Sequence, residues 1–285
     1  MNRVILTADS PCDIGKELQQ KYSVKLFPLH ILIDGKDYLD DENLDTDMLY
    51  DLWQTKKMLP KTAAGSIAEY IDLFSPFVND GDSIVHISLG SGLSCSYQNA
   101  LLASQELKNV YVIDSCSLST GFGLLVCQAG DRIAQGMGAQ QIFEEVSALN
   151  MKNSASFVLD TLEFLHAGGR CSSLASLGAN LMSIKPQIKV INEKCGSMSV
   201  GKKYVGKYDK CVLKYMTQML EGREDIDLTR VFITHAGMSD DALIEAAKQK
   251  VMSLQNFKEL HITRASSTIS SHCGPNTIGV LFMTK

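Results

Sequence analysis

The residues best suited to chemistry in this chain are hydroxyls. In the segment SGLSCSYQNA, residues 91–100, Ser94 and Ser96 follow a short apolar run and open a stretch with helical spacing. Serines at such a junction are good N-caps, and the free N–H groups of a first helical turn, with the helix dipole, attract an anion. A plain cap and an anion site are equally compatible with this spacing. A nucleophile elbow would require G-x-S-x-G, whereas Gly92-Leu93-Ser94-Cys95-Ser96 lacks the final glycine. No histidine or acid is placed by spacing as a partner for Ser94, so a stand-alone acyl hydrolase or esterase using Ser94 is the alternative reading only.

Other segments are weaker signals. GFGLLV at 121–126 resembles half of a dinucleotide fingerprint, but Val126 stands where the third glycine belongs, and a helix packed closely on its sheet is the better reading. Asp9, Asp13 and Asp114 sit at expected strand ends or helix starts, where helix capping outweighs catalysis. AGGRC at 167–171 suits a left-handed helix end and places Arg170 just beyond it. His272, in ISSHCGPNTIGVLF at 269–282, is expected in a Gly-Pro turn before the last strand, as a ligand contact or a turn residue.

The elements that must position these groups alternate. Apolar runs at RVILTADS, SVKLFPLHILID, SIVHISL and NVYVIDS have strand length, and amphipathic stretches such as DTDMLYDLWQTKK and SIAEYIDLFSPF lie between them. This alternation indicates an α/β fold with a doubly wound, mainly parallel sheet, in which ligands bind beyond the carboxyl ends of the strands. Three of those ends are rich in hydroxyls: TADSPCD, SLGSGLSCS and DSCSLST. The pattern changes near Asn150, and 285 residues favour two cores. The expected domains are 1–152 and a C-terminal mixed α/β domain over 153–285, packed directly with a cleft between them.

Composition bounds the function. A net charge of −5 without a basic block argues against nucleic acid as a partner. Eight cysteines without a C-x-x-C pair and six dispersed histidines give no metal-ligand spacing, so neither a metal nor a disulfide framework is expected, and a reducing cytoplasm fits. No apolar stretch approaches bilayer length, and MNRVILTADS is too briefly apolar for a signal peptide.

Taken in order, TADSPCD, KTAAGS, SGLSCSYQNA, VIDSCSLSTG, DTLEFLHAGGR, IKPQI and SHCGPNTIGVLF run from the first strand to the last. This series resembles the motif order of the bacterial DegV family. The resemblance implies a cytoplasmic, lipid-binding protein with no cofactor and no chemistry of its own, which holds a long-chain fatty acid between two α/β domains. It further implies a separate fatty acid kinase as partner, which phosphorylates the presented carboxylate for phospholipid synthesis, and transient membrane contact. Carried over by position, the carboxylate-binding hydroxyls are Thr62 and Ser94, with Ser96 close by. Arg170 and His272 take the places of the family's G-G-R arginine and H-x-G-P histidine, in a transfer or partner-related role. Two departures touch the head-group end. Thr62-Ala63-Ala64-Gly65-Ser66 stands where the family usually reads T-S-x-P-S, and Cys95 replaces a usual glycine. Apolar residues around TLEFLHAGG and SLASLGANLMSIK are candidates for the tunnel lining, with ordinary core packing the alternative for any single one.

Overall fold

The computed structural model describes residues 3–177 and 184–285. The N-terminal part is built on a parallel sheet in the order β2-β1-β6-β7, formed by Val4–Asp9 (β1), Lys25–Phe27 (β2), Ser83–Ser88 (β6) and Val110–Asp114 (β7). The central strands β1 and β6 are buried nearly throughout, which explains why they read as continuous apolar runs without alternation. Six strands form the second sheet, in the order β10-β9-β8-β13-β11-β12. They are Asn153–Leu159 (β8), Ile184–Ile191 (β9), Ser197–Val205 (β10), Ile226–Ala236 (β11), Glu259–Arg264 (β12) and Thr277–Thr284 (β13). This sheet is antiparallel except for the β11–β12 pair. The fold is therefore α/β with one parallel and one mixed sheet.

The run SVKLFPLHILID is not one strand. It divides at Pro28, which has no N–H for a ladder and holds its predecessor extended. Phe27 ends β2 in the parallel sheet, while His30–Ile33 (β3) pairs antiparallel with Lys36–Leu39 (β4) and Lys61–Ala63 (β5) in a separate three-stranded sheet. Strand β5 carries Thr62, paired with Ile31. This small sheet has its own core of Ile31, Ile33, Leu44 and Leu49, the last from helix α2 (Thr46–Lys56), numbered after α1 (Gly15–Lys21).

Helix α5 (Thr120–Ala134) packs against both large sheets, after α3 (Ile67–Asn79) and α4 (Ser96–Gln105) in the chain. It is buried on nearly all sides, as expected for a helix that is apolar around its circumference. Gly121 explains the GFG segment: a methyl there would press on Ser117 and Ala155, so the glycine sets a close helix approach and marks no nucleotide site. The largest core joins Leu6, Ile84 and Ile87 of the parallel sheet to Phe157, Ile188 and Leu281 of the mixed sheet through Phe122 and Leu125 of α5.

A second core lies on the far face of the mixed sheet, under α8 (Tyr208–Leu220) and α9 (Asp241–Leu254). Helices α6 (Ala139–Ser147), α7 (Glu163–Gly168) and α10 (Ser267–Cys273) complete the set. Among the described residues no helix is long and apolar enough to cross a membrane.

Candidate functional site

A cavity opens where the two large sheets and the small one meet. Its volume is about 60 Å³. Its polar wall is Thr62, Ser94, Arg170, Thr268 and His272, and its apolar wall includes Leu29, Leu89, Leu93, Leu118, Met198 and Ile269. A smaller chamber of about 20 Å³ shares Leu118, Ile269 and Cys273 with it and continues to Phe157, Ala236 and Leu281. The two chambers meet at this shared apolar wall; the first carries Thr62, Ser94, His272 and the cationic Arg170, and Ser119, Thr234, His235 and Thr277 also border the second.

Each polar residue is set by a different local device. Ser94 ends the loop between β6 and α4; its Oγ accepts the Ser96 N–H at 3.2 Å and lies 2.9 Å from the Ser96 hydroxyl. Ser96 is fully buried and stands behind Ser94, away from the cavity wall. Among the described residues Ser94 has no histidine as hydrogen-bond partner, so the pairing that would activate a serine nucleophile is not formed. Thr62 Oγ1 lies 2.8 Å from His272 Nε2.

His272 sits in the last turn of α10 and not in a turn before β13. The sequence hid this helix because Ser, Thr and His are indifferent helix formers and its sides are nearly all buried, leaving no amphipathic period. Its N-terminus is held by two carboxylates from the other half. Asp13 accepts the Ser266 N–H at 2.9 Å, and Asp40 accepts the Ser267 N–H at 2.8 Å. Burial, and then the nearby Arg170, lower the His272 pKa to about 4, so its ring is neutral at pH 7. Its Nδ1 is buried, has no hydrogen-bond partner among the described residues, and abuts Gly168, where any side chain would overlap it.

Arg170 follows the left-handed Gly169 that ends α7. It is exposed, donates from Nη1 to the Gly168 carbonyl at 2.6 Å, and makes a long 3.5 Å contact from Nε to the Leu93 carbonyl. The guanidinium thus lies over the loop that ends in Ser94.

The departures from the family pattern have local causes. Gly65 packs under the Phe27 ring, which stacks on Tyr70 at 4.1 Å, and a side chain at 65 would overlap Phe27. Its carbonyl accepts from Asn99 at 2.8 Å, while Ser66 forms a capping box with Glu69 at the start of α3. Ala63 and Ala64 present methyl groups to the cavity. Cys95 is exposed.

The acids at strand ends act differently from the expected caps. Asp9 is fully buried and accepts from Tyr70, Ser88 and the Leu89 N–H at 2.7, 2.7 and 2.8 Å. Asp13 accepts from Ser119 at 2.5 Å and, through Ser266, holds a helix distant in sequence. Asp114 accepts from Ser91 and from the Cys116 N–H. In each case the carboxylate ties a neighbouring loop in place, because parallel strands bring several turns to one sheet edge.

The expected lining is only partly where the sequence suggested. Phe164 and Leu165 of α7 are buried but line neither chamber; Phe164 packs against Tyr50 and Trp53. Residues 178–183 of the segment SLASLGANLMSIK lie outside the described residues. Leu29, Leu118, Ile269 and Cys273 were not legible as lining, since each looks like ordinary core in its own element.

Fold and site together define an α/β protein of two large sheets and one small one, with a largely apolar cleft that carries polar groups at its mouth. The chain belongs to the DegV family, whose sequence model, described as an uncharacterised protein family, matches residues 3–285. A DegV domain-containing protein of Clostridium acetobutylicum is 27% identical over the whole of both chains. A fatty-acid-binding DegV family protein of Thermus thermophilus is 25% identical, with a TM-score of 0.87, covering 99% of this chain and all of that one. A DegV family protein from Eubacterium eligens, solved loaded with heptadecanoic acid, is 23% identical and has a TM-score of 0.84 over 99% of this chain and all of its own.

Proposed function

We infer that this protein binds one long-chain fatty acid in the cleft, carboxylate toward Thr62 and Ser94, and presents it to a separate fatty acid kinase. The observation that carries this reading is the convergence of Thr62, Ser94, Arg170 and His272, from both halves, on one cavity that adjoins a second chamber through Leu118, Ile269 and Cys273. The acyl chain runs from the first chamber past Leu118, Ile269 and Cys273 into the second, and those side chains turn aside to admit it. The fatty-acid-binding relatives of the same fold support the choice of ligand.

The energetics suit a carrier. About 14 methylenes at roughly 0.8 kcal/mol each give about 11 kcal/mol as an upper bound, close to what nanomolar affinity needs before ordering costs. The hydroxyls of Thr62 and Ser94, each contributing about 0.5–1.5 kcal/mol and roughly twice that to a charged acceptor, fix which end faces out. The first N–H groups of α4 lie beside Ser94 and favour the same anion. Ser96 orients Ser94. Neutral His272 orients the Thr62 hydroxyl without adding charge, while Arg170 supplies the positive charge at the surface, where a kinase reaches the carboxylate. Delivery of so insoluble a chain also entails transient contact with a lipid surface.

Native mass spectrometry and lipid extraction of protein purified from a bacterial host test the proposal. Co-purified fatty acid, or stoichiometric uptake of added oleate or palmitate, is expected. Ligand-free protein that binds neither would overturn it, and turnover of acyl esters lost in Ser94→Ala would favour the hydrolase.

A further inference from the structure

Below the loop that carries Ser94 lies a cluster that the fatty acid site does not use. One donor atom each from Asp114, Cys116 and Cys195 lies within 4.8 Å of the other two. Asp114 ends β7, Cys116 is in the loop leading to α5, and Cys195 sits in the turn between β9 and β10. Both thiols are free; Cys116 is buried and Cys195 half-buried. We propose that these three residues form a binding site for a thiophilic divalent cation, with zinc the ion whose preferences they match.

The donor set decides the metal class. Two sulfurs and one carboxylate suit zinc, whereas calcium and magnesium take oxygen ligands. Zinc bound tetrahedrally at about 2.3 Å from sulfur spaces its ligand atoms roughly 3.5–4 Å apart, leaving the fourth position for water. A group already gathered within 4.8 Å stands close to that spacing.

The surroundings hold the ligands as an outer shell would. Ser91 donates to Asp114 from its backbone N–H at 3.1 Å and its hydroxyl at 2.5 Å, and the Cys116 N–H adds a third bond at 3.0 Å. Asn150 Nδ2 is 3.6 Å from the Cys116 sulfur. The Gly92 N–H donates to the Cys195 carbonyl at 2.8 Å, which fixes the second cysteine against the first half.

Charge points the same way. Asp114 has no ion-pair partner among the described residues, and its carboxylate faces the sulfurs of Cys116 and Cys195. A carboxylate facing two thiols lacks a positive charge, and a dication supplies it as two thiol protons leave to solvent. The bound ion would fasten the β9–β10 turn to the base of the Ser94 loop, joining the two halves.

The test uses the full chain, reduced and stripped with chelator, then titrated with zinc chloride. One zinc retained per chain is expected, measured by inductively coupled plasma mass spectrometry after removal of excess metal, with a higher melting temperature in zinc. Cys195→Ser and Asp114→Asn should each weaken zinc binding at least tenfold and abolish the melting shift, while Cys95→Ser leaves both unchanged. Cobalt should give thiolate charge-transfer absorption that Cys195→Ser removes. Because Cys116 is buried, the half-buried Cys195 decides the matter, its fold checked by an unchanged metal-free melting curve. No retained zinc, zinc binding indifferent to Cys195→Ser, or loss in Cys95→Ser would each overturn the site. So would a Cys116–Cys195 disulfide forming in air in protein that binds no zinc when reduced.

Discussion

Thr62 and His272 meet at 2.8 Å, oxygen to ring nitrogen, from a short strand in the first half and a helix near the end of the chain. Because the imidazole is neutral at pH 7, it directs the threonine hydroxyl and leaves the ligand's charge to other groups. The pair therefore joins the head-group site to the contact between the halves.

Removing either hydroxyl weakens acid binding without destroying it. Thr62→Ala and Ser94→Ala should each cost about 1–3 kcal/mol for a fatty acid and less for the matching alcohol, since a bond to a charged oxygen is lost while the apolar cleft remains. Calorimetric titration with palmitate and hexadecanol checks this. Wild-type affinity in both variants would place the head group elsewhere.

Gly168→Ala tests the support behind the pair. The new methyl would overlap His272 Nδ1, and the ring must swing away from Thr62. Overpacking of this kind costs about 1–3 kcal/mol of stability. Denaturant melts should show that loss, and acid binding should fall with it. Melting and binding like wild type would mean that the ring moves freely.

Two buried groups give opposite pH slopes. His272 has its pKa lowered from 6.5 to about 4, so its contribution to stability is full above 6.5 and is lost as pH falls toward 4, by up to about 3 kcal/mol. Burial raises Asp13 to about 7, against hydrogen bonds from Ser119 and Ser266 that hold it down. Its contribution is present below the unfolded value near 3.9 and is lost as pH rises through 7. Urea melts of wild type, His272→Gln and Asp13→Asn between pH 4 and 8 separate them. The first variant should flatten the loss on the acid side, and the second should flatten the loss between about pH 4 and 7. A wild-type slope retained in either variant would assign that proton to another group.

Arg170 serves transfer more than storage on the reading proposed above. A fixed guanidinium stabilises the negative charge that develops when the carboxylate is phosphorylated, and it is exposed at the mouth. Arg170→Ala should keep fatty acid affinity within about tenfold while lowering acyl phosphate formation by a cognate kinase far more. His272→Ala should behave similarly but less severely. Binding and coupled assays on one preparation discriminate, because equal losses in both would make either residue an ordinary binding contact.

The sequence by itself determined the α/β alternation, since parallel strands buried on both faces read as short apolar runs and their helices keep an amphipathic period. It also marked Thr62, Ser94, Arg170 and His272 through the motif series, and the structure sets all four on one cavity wall. Tertiary structure alone decided that Pro28 divides one apolar run between two sheets and that the buried segment around His272 is a helix. It also decided that Leu29, Leu118 and Ile269 face a cleft, and that Asp114 and Cys116 find Cys195. The reason is physical. Periodicity records whether a side chain is buried, while the identity of what it is buried against depends on which distant segment the sheets and α5 bring alongside.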